Sequence, residues 1–97
     1  MNKKQIFCQV AKLRFPGQDT FEKDGNFWVS TPNSFGVQIQ NNEKLVHELV
    51  EEFKIKVNVI DNLWEAVRPG ILTLGKTKEQ AVYQCYVILE RDKACYI

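Results

Sequence analysis

Apolar residues recur along this chain with two periods, and the change between them marks out its elements. Between Thr77 and Arg91, Ala81, Val82, Cys85, Ile88 and Leu89 fall at i, i+1, i+4, i+7 and i+8, one face of a helix laid against a core. Thr77 with Gln80 three residues later is a capping box, in which the hydroxyl takes an orphan amide and the glutamine side chain reaches back. A second helix is predicted over Glu43–Phe53. Leu45, Val46, Leu49, Val50 and Phe53 make its apolar stripe, Glu43, Lys44, Glu48, Glu51 and Glu52 its wet side, and Asn41 or Asn42 its cap. A third opens the chain, where Asn2 and Gln5 form a cap and Ile6, Phe7, Val10, Ala11 and Leu13 cover about half of a helical wheel. Pro16-Gly17 stops it.

The period becomes two from Thr20. Thr20 to Lys23 and Asn26 to Ser30 flank Asp24-Gly25, a dipeptide suited to the positive φ of a tight hairpin turn. After the turn residues Thr31-Pro32-Asn33-Ser34, Phe35, Val37 and Ile39 alternate with Gly36, Gln38 and Gln40, completing a three-stranded antiparallel meander. Ile55, Val57 and Val59 predict a further short strand. Asp61 or Asn62 is read as the cap of a short helix carrying Leu63, Trp64 and Val67, with Trp64 in the core and Pro69-Gly70 as its end. Ile71 to Leu74 is either a brief strand or a buried connection, and the apolar residues 94–97 are expected to be tied down. No internal repeat is visible. The grouping predicts an α+β domain: a mainly antiparallel three- to four-stranded sheet with helices packed on one face. A purely helical DNA reader fits poorly, because a strand-like segment and not a short turn follows Glu43–Phe53.

Composition narrows this picture. Ninety-seven residues make one domain, and 44% hydrophobic residues with 26% charged ones are too apolar for disorder. Thirteen basic and twelve acidic side chains leave a net charge of +1, against the visibly basic balance of most nucleic-acid binders. Three cysteines without a C-x-x-C pair point to reduced thiols and a cytoplasmic location. The apolar run after Lys3-Lys4 is broken at Gln9 and Lys12, so it is too short for a secretory core. No run reaches membrane-spanning length, and no membrane partner is expected.

Candidate chemistry starts with Gly70-Ile71-Leu72-Thr73-Leu74-Gly75-Lys76-Thr77, which satisfies the G-x-x-x-x-G-K-[ST] pattern of a phosphate loop. Such a loop wraps phosphates in glycine amides, with a lysine for charge and a hydroxyl for magnesium. Bulky Ile-Leu-Thr-Leu in the middle argues against it, as does the helical reading of Leu63 to Pro69 where a core strand is required. Gly70, Gly75, Lys76 and Thr77 therefore stand as an alternative nucleotide site, behind a turn and a helix cap. His47 is the sole histidine, with Glu43 and Glu51 one turn away on either side. One histidine and scattered cysteines lack metal-ligand spacing, so neither a metal nor another cofactor is expected. Cys85 lies on an apolar stripe, Cys8 lies off one, and Cys95 is near the terminus, which favours structural thiols over nucleophiles. Adjacent glutamates on a helix diverge by about 100°, so Glu51 and Glu52 do not converge on one atom. Lys3, Lys4, Lys12 and Arg14 interleave with Phe7 and Phe15 as an RNA-binding face would, but they do not share one helical face.

Period two cannot hide Phe27, Trp28 and Val29 together, so in a sheet covered on one side either Trp28 or the Phe27/Val29 pair faces outward. Separately, Leu74-Gly75-Lys76-Thr77-Lys78-Glu79-Gln80-Ala81 resembles the strand-to-helix junction of HicB-like antitoxins, in which Gly-x-Thr precedes a helix bearing an Ala. The resemblance covers eight residues. The helix at Glu43–Phe53 departs from that family's order, so it implies no function. The expectation is a small non-catalytic protein that binds another protein as an inhibitor or accessory factor. Its contacts would be Trp28 and Phe35, then Glu48, Glu51 and Glu52. Homodimerisation through a sheet edge or the C-terminal segment is a further expectation. Short chains of this kind are common on mobile genetic elements, a prior about length and not a reading of residues.

Overall fold

In the computed structural model, which describes residues 2–32 and 34–95 (backbone only at 34, 35 and 92–95), a helix and a three-stranded meander occur twice before a final helix. The first unit is α1 (Lys3–Arg14), β1 (Thr20–Lys23), β2 (Asn26–Thr31) and β3 (Ser34–Gln38). The second is α2 (Glu43–Phe53), β4 (Lys56–Ile60), β5 (Leu63–Arg68) and β6 (Ile71–Gly75), and α3 (Lys78–Cys95) follows. The class is α+β, but the strands form two separate antiparallel sheets, ordered β1-β2-β3 and β4-β5-β6, where one sheet of three to four strands was expected.

The two sheets are built to one plan. Their middle strands begin at Asn26 and Leu63 and their last strands at Ser34 and Ile71, a displacement of 37 residues in each case. Pairing follows the same displacement: Lys23 faces Asn26 as Ile60 faces Leu63, and Thr20 faces Val29 as Val57 faces Ala66. A bulge between Val29 and Thr31 then shifts the β2–β3 register away from its counterpart. No run of residues repeats, yet the physical chemistry does. Ile6, Phe7, Val10 and Ala11 on α1 have the spacing of Leu45, Val46, Leu49 and Val50 on α2. Asp24-Gly25 and Asp61-Asn62 both adopt positive φ, at 53° and 76° and at 48° and 68°, the conformation of a two-residue hairpin. The second pair corrects the reading of residues 61–67 as a capped helix, since Asp61 and Asn62 turn the chain from β4 into β5.

Helix α3 is the centre of the molecule. Ala81, Val82, Tyr83, Cys85, Tyr86 and Val87 are all buried, so α3 is covered on most of its circumference and not on one face alone. The reason is its neighbours: α1, α2, β5 and β6 all pack against it. Tyr83 also donates its hydroxyl to the Ile39 carbonyl at 2.7 Å, joining α3 to the end of the first sheet. Phe7 fills the space between, its ring 6.1 Å from both Phe27 and Tyr83. Gln84 donates to the Leu74 carbonyl at 2.9 Å and occupies a backbone acceptor of β6. At the remaining junction, Arg14 of α1 meets Glu52 of α2 at 2.7 Å and Glu48 at 4.0 Å. Of the C-terminal residues expected to be tied down, 96 and 97 lie outside the described residues. No described helix is long and apolar enough to cross a membrane.

Candidate functional site

Strand alternation gives each sheet a face toward the helices and a face away from them. In the second sheet Trp64, Ala66 and Thr73 point inward, and Ala66 and Thr73 are buried there. The outer face therefore carries Lys56, Asn58 and Ile60 from β4, Leu63, Glu65 and Val67 from β5, and Leu72 and Leu74 from β6. Four large apolar side chains on it are open to solvent: Ile60 is 47% exposed, Leu63 38%, Leu72 60% and Leu74 47%. The other such residue among those described, Val59, lies on the inner side of the edge strand β4. Glu65 occupies the middle of the outer face, across from Asn58 on one side and Leu74 on the other, with the Asn58 amide 3.5 Å from its carboxylate. Sequence reasoning missed this surface because a helix over residues 63–67 would turn Leu63 and Val67 toward a core. The readable signal was Asp61-Asn62 itself, a pair that tolerates positive φ, directly after the period of two in Ile55, Val57 and Val59.

The first sheet resolves the choice posed by Phe27, Trp28 and Val29. Phe27 and Val29 are buried inward, whereas Trp28 is half-buried on the outer face. There it stacks on Phe21 with ring centres 6.2 Å apart and planes 15° from parallel, and its indole N–H donates to the Lys23 carbonyl at 3.3 Å. Phe21 extends toward Gly36, where a Cβ would come within 3.2 Å of the ring. The partner surface named with Trp28 included Phe35, whose side chain lies outside the described residues. Glu48, Glu51 and Glu52 are exposed along α2, and two of them are engaged by Arg14. Glu51 is the member of that acidic surface turned away from this pairing.

A cleft of about 1060 Å³ opens where the three helix N-termini meet. Phe7, Val46 and Trp64 are its apolar lining, and Lys3, Glu43, His47, Lys78 and Glu79 are its ionisable groups. Trp64 is thus half-buried at a cleft and not enclosed in the core. The helix ends already supply their own acceptors. Asn2 takes the Gln5 amide, Asn42 the Leu45 amide and Thr77 the Gln80 amide, while Glu79 accepts from the Asn42 backbone N–H at 3.0 Å. A carboxylate of the protein thus sits where an anion would be drawn to α2. The cleft brings His47 together with Glu43 and Glu79 but includes neither described thiol.

The remaining sequence candidates are dispersed. Gly70 and Gly75 stand at opposite ends of β6, a separation of about 16 Å at strand rise, and residues 71–75 pair with β5. The amides that would wrap a phosphate belong to a sheet. Lys76 donates its backbone N–H to Gln80, and Thr77 caps α3. Lys4 pairs with Glu22 at 3.3 Å and Arg14 with Glu52, which separates the basic residues of α1 into different contacts; Lys3 lines the cleft and Lys12 is exposed. Cys85 is buried, and that burial pushes its thiol up in pKa against the opposing pull of Arg68, while Cys8 is half-buried. The side chain of Cys95 lies outside the described residues. No group of three His, Cys, Asp or Glu that could hold a metal occurs among the described residues. The chain matches no known protein family, no curated protein and no solved structure.

Proposed function

We propose that this chain is a non-catalytic protein-binding module that works through the outer faces of its two sheets. The observation that carries the reading is the cluster of Ile60, Leu63, Leu72 and Leu74 on one uncovered sheet face. A contiguous apolar patch on a small chain is a common mark of an interaction site, whereas single exposed hydrophobics are ordinary. Trp28 with Phe21 is the second, smaller contact area, and the exposed α2 surface at Glu48, Glu51 and Glu52 is a third, separate one on the helix side.

The test is site-specific photo-crosslinking in cells of the natural source. A benzophenone side chain at position 72 or 28 is expected to trap a discrete second protein, and one at Thr20, on the opposite side of the first sheet, is not. Absence of a crosslink from both sheet positions, with the protein folded and expressed, overturns the reading.

A further inference from the structure

We infer that the outer face of β4–β6 docks an amphipathic helix of another protein, and that this helix carries a lysine or arginine within its apolar stripe. The inference rests on the protein-binding reading above and names the chemistry of the partner. It starts from layers. A sheet buries its apolar face against another element, and here α3 covers the inner side while Ile60, Leu63, Leu72 and Leu74 stay uncovered on the other.

Charge selects the occupant. Glu65 stands among Leu63, Val67 and Leu74, so any apolar layer laid over the face takes its carboxylate out of water. A desolvated carboxylate without a cation is strongly unfavourable. The Asn58 amide at 3.5 Å is a weak partner, and Lys56, diagonally across at the edge of the same face, is in none of the ion pairs among the described residues. The partner must therefore bring a positive group to the centre of its apolar surface. A second copy centred on the same patch brings another Glu65 to the middle and its Lys56 only to the edge, since a two-fold contact sets the patch against itself.

Size points the same way. Three strands about 4.8 Å apart and five residues long give a footprint of about 240 Å². Even doubled for side-chain relief, that lies below the roughly 800 Å² each partner of a stable complex commonly buries, so any occupant confined to this face binds weakly. It does match one helix about 10 Å wide and three turns long. The neighbouring edge is less suited to an added strand, because Gln84 already holds the Leu74 carbonyl.

Two synthetic helical peptides of about four turns test this, identical with leucines at i, i+3, i+4 and i+7 except for a central lysine in one and glutamate in the other. Each is titrated into the isotope-labelled full chain and followed by amide shifts and fluorescence anisotropy. The shifts are expected on β4–β6, with the lysine peptide binding about tenfold tighter than its twin. Glu65→Lys should invert that preference. Leu72→Asp should weaken both peptides with far-UV dichroism and melting temperature unchanged. Equal affinity for both peptides overturns the inference, as do shifts centred on the helix-end cleft. It is equally overturned by a concentration-dependent dimer that Leu72→Asp abolishes, which would make a second copy the occupant. Should position 72 trap a protein in cells while both peptides are ignored, the binding reading stands and the helix is wrong.

Discussion

Tyr83 joins an apolar helix to the backbone of a distant sheet through one hydroxyl. Its ring is wholly buried, and the acceptor, the Ile39 carbonyl, is buried with it. Removing the donor leaves that carbonyl without its partner where water cannot replace it. Tyr83→Phe is therefore expected to cost about 1–3 kcal/mol in urea unfolding, although it deletes a single atom. Burial acts on acidity as well. It raises the pKa values of Tyr83, Tyr86 and Cys85 above their ordinary values of 10.0, 10.0 and 9.0, with Glu79 adding to the first and Glu90 to the second. The fold holds these groups neutral, whereas the unfolded chain ionises at the ordinary values. Their contribution to stability is thus complete below about pH 8 and is lost as pH climbs through 9 and beyond. The unfolding free energy should fall on the alkaline side, and Cys85→Ala should make that fall shallower. An alkaline limb unchanged in Cys85→Ala would show that the thiol does not contribute.

At the scale of elements, the junction of β6 and α3 explains both a sequence match and its failure. Gly75 is needed because a Cβ there would lie 2.7 Å from the Ala81 nitrogen and 2.9 Å from the Gln80 Cβ, as the strand turns into the helix. The Thr77 hydroxyl then accepts the Gln80 amide as expected of a cap, while the Gln80 side chain accepts from the Lys76 N–H, one residue ahead of the cap, so the box is only half made. The pattern of a phosphate loop is thereby met by a strand end and a helix cap. Gly75→Ala is expected to destabilise by about 1–3 kcal/mol through overpacking, and Thr77→Ala by about 1 kcal/mol through loss of the cap. Millimolar ATP or GTP with magnesium should leave the melting temperature unmoved, whereas a specific site at a hundredfold excess would add about 2.7 kcal/mol of stability. What was legible in the sequence follows the same division. Caps and stripes located all three helices, and Asp24-Gly25 located the first hairpin. Leu63, Trp64 and Val67 fit a helical face and a strand equally, so the turn residues had to decide. Asp61-Asn62 read as a cap in the sequence because either side chain can accept from a helix amide, although both also tolerate the positive φ they adopt. The uncovered face of β4–β6 was lost with that one choice. The pairing of Arg14 with Glu52 was out of reach for another reason: nothing local relates residues 38 positions apart in the chain.

For the whole molecule, two similar units do not make two independent cores. The first sheet turns Phe27, Val29 and Ile39 inward, and the closing contacts on them come from Phe7 of its own helix and from Tyr83 of α3. The second sheet sets Ala66 and Thr73 against α3, with the Thr73 hydroxyl donating to the Ala81 carbonyl at 2.7 Å. Each meander thus depends on a helix that follows both in the chain. A fragment of residues 1–42 keeps one helix and three strands but loses Tyr83 and the α3 surface that α1 covers. Chains of this size bury too little apolar surface to fold without such a partner. The fragment is expected to lack a cooperative melting transition in far-UV dichroism, while the full chain melts in one step seen alike by dichroism and by Trp28 and Trp64 fluorescence. A separate transition in the isolated fragment, or two transitions in the full chain, would show that the first unit stands alone and that α3 only adjoins it.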